Sequence, residues 1–283
     1  MREMTAERHY WKRFYKAFCD YLYDDIGCFD NYAGSQIKII KAFFNFLNKE
    51  LTMGIGEFHR SFYVRRENIA IFPLMPEELN FLISNKHFEE QLSFRMKQVK
   101  DFFVFGCTVA LRVSDLFALR TSNIRIVNGM YYLTVRSQKT SVYTHIKLPE
   151  YAVNIINRNT QNSRLLPHFS SCNLNRSIKK LLELAGFNYP VQLLREKRGK
   201  VIELCSSGQS GIRARFCDVC ASHTMRRTAI TTMLSLGMQE QLVRRISGHA
   251  PGSKEFYRYV LWAQSYQDKE TDKMFEKLRD GMG

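Results

Sequence analysis

Two runs of alternating apolar residues, Ile124 and Ile126, then Tyr131, Leu133 and Val135, flank an Asn128-Gly129 pair in a chain otherwise patterned for helix. Alternation places every second side chain on one face of a strand. Asn-Gly supplies the two positive φ angles of the tight hairpin turn whose twist matches that of paired strands. A third alternating run, Tyr143 to Leu148, follows a short turn that carries Lys139. The expectation is a mainly α protein with one small three-stranded antiparallel sheet set inside a helical domain.

The first seventy residues read as helical. Trp11, Phe14, Phe18 and Leu22 recur at helical spacing, and Ile40, Phe43, Phe44, Leu47 and Leu51 form a second stripe. Ser35 is the candidate N-cap of that second helix and Gly54 its candidate stop. From Phe58 to Pro76 the pattern lapses into a basic, extended stretch with Arg60, Arg65 and Arg66, which reads as a linker. Pro76-Glu77-Glu78 then opens a new helix, with proline in the first turn and acids at its positive end. Beyond it, Phe102, Phe103, Phe105, Val109 and Leu111 mark a buried helix. Helical patterning returns at Tyr151, Leu174 to Leu184, Met225 to Leu236, Leu242 to Ile246 and Tyr266 to Leu278. Residues 195–222 show no clear period and read as a loop or hairpin. Two domains are expected: a helical one over 1–60, a basic linker over 61–75, and a larger one over 76–283 with a C-terminal helix.

Lys and Arg number 42 against 27 Asp and Glu, a net charge of +15 over 283 residues. Such a surplus favours a polyanionic partner. No apolar run approaches the roughly 18 to 20 residues needed to span a bilayer, and the polar N-terminus lacks a signal-peptide core; a cytosolic protein with no membrane partner is expected. Seven cysteines at irregular spacing argue against a secreted disulfide framework. Cys217-x-x-Cys220-x-x-His223, with Cys205 upstream, offers four zinc-ligand types, but a second Cys/His pair at finger spacing is missing, so no metal is expected.

Four short segments of the larger domain carry chemistry-bearing residues. They are Leu111-Arg112-Val113-Ser114-Asp115 at the end of the buried helix, Lys139-Thr140 on the strand turn, His223-Thr224-Met225-Arg226 with His and Arg one helical turn apart, and Ser247-Gly248-His249 followed by Tyr257 and Tyr259. In this order the set resembles the Arg, Lys, His-x-x-Arg, Gly-His and Tyr series of the tyrosine-recombinase (phage integrase) family. The flanking text is similar to mobile-element integrases of Bacteroidetes-type bacteria, and the likeness spans roughly Tyr10 to Tyr266.

The resemblance implies a two-domain architecture, with a helical SAM-like core-DNA-binding domain and a catalytic domain. It implies a site-specific DNA recombinase that cuts and rejoins DNA through a 3′-phosphotyrosine without metal, cofactor or ATP. Arg112 and Arg226 would hold the nonbridging oxygens of the phosphate, whose charge grows during attack. His223 would assist the nucleophile, Lys139 would protonate the leaving oxygen, His249 would donate a hydrogen bond to the phosphate, and Asp115 would orient a partner. Lys147 competes for the role of Lys139. Tyr259 is the preferred nucleophile and Tyr257 the alternative; they fall ten and eight residues after His249, on either side of the family's usual interval. Lys38, Lys41, Arg60, Arg65 and Arg66 are the candidate DNA-gripping residues of the first domain. Double-stranded recombination sites are the implied partner, with a homotetramer on DNA, a monomer free in solution and a bacterial, nucleoid-associated location. Two other readings share these residues: a type IB topoisomerase, with the same catalytic set, and a DNA-binding relative without catalysis.

Overall fold

A computed structural model describes residues 2–138, 143–161, 163–205 and 213–280. The chain divides into two compact units, Met1–Ala70 with Val191–Ala214, and Ile71–Pro190 with Arg215–Gly283.

The first unit is built on α1 (Arg2–Asp20) and α2 (Asp30–Lys49), joined through a π-helical turn, Tyr21–Asp25. Aromatic rings fill the space between them. Trp11 stacks on Phe58 at 4.0 Å, and Phe44 meets both edge-on. The stripe expected on α1 therefore forms. On α2 the inward face is instead Ala33, Ile37, Ile40 and Phe44, while Phe43 and Leu51 face solvent. Ser35 is not the N-cap, because α2 already starts at Asp30, and Gly54 lies beyond its end at Lys49. The early start has a chemical reason. Asp30 is almost wholly buried and accepts hydrogen bonds from the Tyr23 hydroxyl (2.7 Å) and from two main-chain N–H groups far along the chain.

Those N–H groups belong to Arg198 and Gly199, the turn of a hairpin formed by β4 (Leu193–Lys197) and β5 (Lys200–Leu204). The sequence places residues 191–214 within the C-terminal domain; in the structure they belong to the first unit. Periodicity could not show this, because the inward anchor of β4 is a charge. Arg195 lies over the Phe29 ring and holds the buried Glu67 carboxylate with two hydrogen bonds, of 2.7 and 2.9 Å. Meanwhile the apolar Val201 and Ile202 of β5 face solvent.

The second unit begins with α3 (Pro76–Ser84), whose Glu78 accepts the Met75 N–H at 2.8 Å, followed by α4 (Lys86–Gln91). Its centre is α5 (Phe94–Val109), buried from Val99 to Phe105 on every side, which explains its lack of a polar face. At Gly106 an added Cβ would lie 2.5 Å from the Met225 sulfur, so α5 crosses α10 (Ser222–Ser235) closely there. The short α6 (Val113–Phe117) leads to the sheet β1 (Ile124–Val127), β2 (Met130–Arg136) and β3 (Tyr143–Lys147), antiparallel in the order β1-β2-β3. Asn128 and Gly129 take φ of 50° and 73°, the turn their identity predicts. Leu133 and Val135 of β2 are buried, as are Thr144 and Ile146 of β3. Then come α7 (Glu150–Asn159), α8 (Ser171–Leu184), the single turn α9 (Phe216–Val219), α11 (Glu240–Ser247) and α12 (Lys254–Asp280). A core of Ala110, Ala229, Ile230, Leu234, Val243, Phe256 and Ala263 joins the end of α5 to α10, α11 and α12. Within α12, Tyr266 donates to Glu77 of the same unit at 2.6 Å, while Met274 and Phe275 are exposed. Among the described residues no helix is long and apolar enough to cross a membrane.

Candidate active site

The junction of α5 with α6 makes the first wall. Ala110 ends α5 in the left-handed region at φ 55°, which turns its carbonyl inward, and Arg112 follows as the extended N-cap of α6. Asp115, in the first turn of α6, is buried. Its carboxylate accepts the Gln138 N–H at 3.1 Å and the Ser137 hydroxyl at 3.4 Å, and Ser137 in turn accepts from Arg112 Nη1 at 3.0 Å. Asp115 thus holds both the guanidinium of Arg112, through Ser137, and the end of β2. Lys139, expected next, lies outside the described residues; Lys147 is exposed at the end of β3.

Arg226 comes from the second turn of α10 and is buried. Nη1 donates to the Ala110 carbonyl at 2.7 Å and Nη2 to the Ser247 carbonyl at 2.6 Å. Among the described residues neither Arg112 nor Arg226 has a carboxylate within ion-pair distance. Burial, and next the positive charge of Arg112, push the Arg226 pKa down to about 10. It stays charged at neutral pH, and the buried Asp115 carboxylate offsets it in part without an ion-pair contact.

Gly248 ends α11 at φ 64°, a conformation that glycine adopts without steric cost, and this sets His249 back over the helix end. His249 Nδ1 lies 2.8 Å from the Ser247 hydroxyl, and that hydroxyl donates its one proton to the Val243 carbonyl at 2.7 Å. Ser247 is thus placed to accept from Nδ1, and Arg226 Nη2 lies 3.4 Å from Nδ1 and 3.3 Å from Nε2, beside the ring. Burial, followed by Arg226 and Arg112, lowers the His249 pKa to about 4, so the ring is neutral at pH 7. Phe256, fully buried, packs beneath it.

Three residues beyond Phe256 on α12, Tyr259 falls on the same face. Its ring is half-buried against the core, 5.9 Å from the His249 ring. Tyr257 points the other way and is 57% exposed. The two candidates are thus distinguished by position. His223 lies one turn before Arg226 on α10 with its side chain exposed. Arg112, Arg226, His249, Asp115 and Tyr259 gather in one place. Ser137 and Ser247 belong with them; a serine carries no sequence signal that separates such a role from an ordinary surface hydroxyl.

In the first unit, Lys38, Arg60 and Arg66 are exposed, and Arg60 pairs with Glu57 at 2.6 Å. Lys41 is half-buried and donates to the carbonyls of Arg60 and Phe62, both at 3.0 Å, so its ammonium ties the unit together. Arg65 lies over the Tyr63 ring at 5.4 Å. Cys217 and Cys220 are buried and unbridged, and among the described residues no cluster of three His, Cys, Asp or Glu is arranged to hold a metal.

No protein-family model and no curated protein sequence matches the chain. Solved structures do. The lambda integrase fragment of residues 75–356, a dimer bound to a COC′ core site, aligns at TM-score 0.58 and 14% identity, covering 87% of this chain and 78% of that one. The Tn1549 transposon integrase in complex with transposon right-end DNA aligns at TM-score 0.56 and 14% identity, covering 83% and 77%. XerH site-specific recombinase bound to a palindromic difH substrate aligns at TM-score 0.48 and 12% identity over 70% of this chain, which spans about half (52%) of the XerH chain. The lambda and Tn1549 matches show that the chain has the fold of those integrases, mainly α with a small antiparallel sheet and two units.

Proposed function

We propose that this protein is a site-specific DNA recombinase acting through a tyrosine–phosphate intermediate. The observation that carries the reading is the convergence of two cations, Arg112 and Arg226, on a neutral His249 and a half-buried Tyr259, with no carboxylate among the described residues in ion-pair contact with either cation. Two cations against the single nearby carboxylate of Asp115 leave a net positive charge, which an anion bound in the site offsets. A phosphodiester is the anion that also gives a neighbouring phenol something to attack.

In this mechanism the phenol oxygen of Tyr259 attacks phosphorus and the bond to the 5′-oxygen breaks. The enzyme keeps a 3′-phosphotyrosine, and the phenol proton is lost as the leaving oxygen gains one. Arg226 and Arg112 stabilise the charge that builds on the nonbridging oxygens. Arg226 is fixed in advance by the Ala110 and Ser247 carbonyls, and Arg112 by the Ser137–Asp115 pair, so little reorganisation accompanies the reaction. His249 stands beside Arg226, and a bound phosphate offsets the two arginine charges and restores its capacity to donate. His223 and Lys139 serve as the proton-handling groups of the same proposal, and four protomers on two DNA duplexes as its assembly.

A labelled duplex with a nick near the cleavage site tests this. Wild type forms a covalent protein–DNA adduct on a denaturing gel; Tyr259→Phe abolishes it and keeps DNA binding, and Tyr257→Phe leaves it. Loss only with Tyr257→Phe would move the nucleophile. Tight binding without any adduct from wild type would overturn the catalytic reading in favour of a DNA-binding role, and relaxation of supercoils without joining of two paired sites would favour the topoisomerase class.

A further inference from the structure

The second unit carries another pair of cations, one of them eight residues beyond Arg112. Arg120 and Arg164 sit opposite each other on two antiparallel segments, with Thr121 N–H donating to the Ser163 carbonyl at 2.9 Å and Leu165 N–H to the Leu119 carbonyl at 3.3 Å. Like charges directly opposite on paired segments repel. Both side chains line a cavity of about 500 Å³, together with His168, Gln98, Asn159 and Gln161. Among the described residues, none that lines it carries a carboxylate. Asp101, which accepts the Asn159 amide at 2.6 Å, is also engaged by Arg158. Arg120 Nη1 is shielded from solvent and has no hydrogen-bond partner. A buried guanidinium N–H without an acceptor is a rare and unfavourable state, so Arg120 is left with unmet donor capacity. Gln98 supports the same polarity: its carbonyl oxygen accepts from Arg95 at 2.9 Å, which leaves its amide hydrogens for another acceptor.

We infer that this cavity binds a phosphoryl oxyanion between Arg120 and Arg164. Paired guanidinium groups match the geometry of a phosphate, and the amide and imidazole donors around the rim complete a set built for an acceptor-rich ligand. The site is separate from the Arg112–Arg226 cluster in both residues and motifs, so it holds whether or not that cluster cleaves DNA. Two sources offer the same chemistry: a backbone phosphate of duplex DNA, and a free phosphate.

Two measurements on the full chain decide it, each comparing wild type with Arg164→Gln and with the Arg120→Gln/Arg164→Gln pair. The first follows inorganic phosphate by ³¹P NMR and by thermal melting in phosphate against chloride of equal ionic strength. A saturable wild-type ³¹P shift, with a rise in melting temperature that vanishes in the variants, identifies a free phosphate as ligand. The second measures duplex affinity against salt. A slope of log K on log salt that becomes shallower by about 0.9 in the variants identifies a single DNA phosphate at this site. If the pair variant fails to fold, the wild-type ³¹P titration and Arg164→Gln, whose side chain is partly exposed, still give both readings. Wild type and variants that agree in phosphate binding, melting and salt slope would overturn the inference.

Discussion

Glu67 in the first unit and Arg226 in the second are buried charges treated in opposite ways. In the first, Glu67 lies almost wholly inside and every acceptor position is used. Arg195 grips it with two hydrogen bonds, and the main-chain N–H groups of Glu196 (2.8 Å) and Asn31 (3.4 Å) complete the set. Burial alone would raise its pKa, but Arg195 and these N–H groups outweigh burial and hold it below the usual carboxylate range. In the second, Arg226 is buried with carbonyl partners only, beside Arg112 and a deprotonated His249. A satisfied buried charge fixes a fold; an incompletely compensated one keeps a place for a ligand. The same distinction separates Asp30, saturated by Tyr23 and the hairpin turn, from Arg120, whose Nη1 has nothing to meet.

The largest expected effect breaks the satisfied side. Glu67→Ala leaves the half-buried Arg195 beside Phe29 without its counter-ion, and removal of one partner of a buried pair costs up to about 3–5 kcal/mol. Urea unfolding of the first unit should move accordingly. The pH dependence has a definite sign. Because the folded carboxylate has a lowered pKa, its stabilisation is complete above the unfolded value and is lost as pH falls through the folded one. A loss under about 1 kcal/mol would mean that this pair does not anchor the hairpin, and the contrast between the units would fail.

On the incompletely compensated side, Arg226→Gln should lower the rate of covalent adduct formation by about 10²–10³-fold, the usual cost of one lost transition-state donor. Its effect on urea stability should be smaller than that of Glu67→Ala, since the substitution also removes a buried charge that is only partly offset. Equal stability losses for the two variants would show that Arg226 serves the fold as much as the reaction.

How much of this is legible in the sequence follows the same divide. Asn128-Gly129, the stripe on α1 and the one-turn spacing of His223 and Arg226 on α10 are local patterns, and each appears where its spacing predicts. The Arg198-Gly199 hairpin does not announce itself, because its inward anchors are Arg195 and the turn's own N–H groups, and its partners, Asp30 and Glu67, lie more than a hundred residues away. Phe43 and Leu51 misled for a related reason: hydrophobicity marks candidates for burial, while the start of α2 at Asp30 selects the face that is buried. The choice between Tyr257 and Tyr259 needed the position of Phe256, whose burial under His249 orients α12.

A third prediction sharpens the contrast through a single proton. In the free protein His249 titrates near 4, so between about pH 6.5 and 4 the unfolded chain binds a proton that the folded site refuses. Folded stability therefore falls across that window as pH falls. Bound phosphodiester offsets the charges of Arg226 and Arg112, and the His249 pKa should rise by at least ~1 unit, about 1.4 kcal/mol of coupling. An NMR titration of the His249 ring in Tyr259→Phe, with and without duplex, reads this without cleavage. A pKa unmoved by DNA would place the phosphate elsewhere.

The smallest effect tests which part of the hairpin turn Asp30 uses. Arg198 adopts φ 55°, a strained value for a residue with a Cβ, and its guanidinium pairs at the surface with Asp20 (2.9 Å) and Asp24 (2.6 Å). Exposed pairs of this kind contribute about 0–1 kcal/mol. Glycine would keep the N–H that donates to Asp30 and relieve the strain, at some cost in chain entropy. Arg198→Gly should therefore change stability by less than about 1 kcal/mol. Asp30→Ala should cost more, since it strands two main-chain donors and the Tyr23 hydroxyl together. Should Arg198→Gly prove the more damaging of the two, the surface arginine and not the buried carboxylate would be what holds the hairpin to the helices.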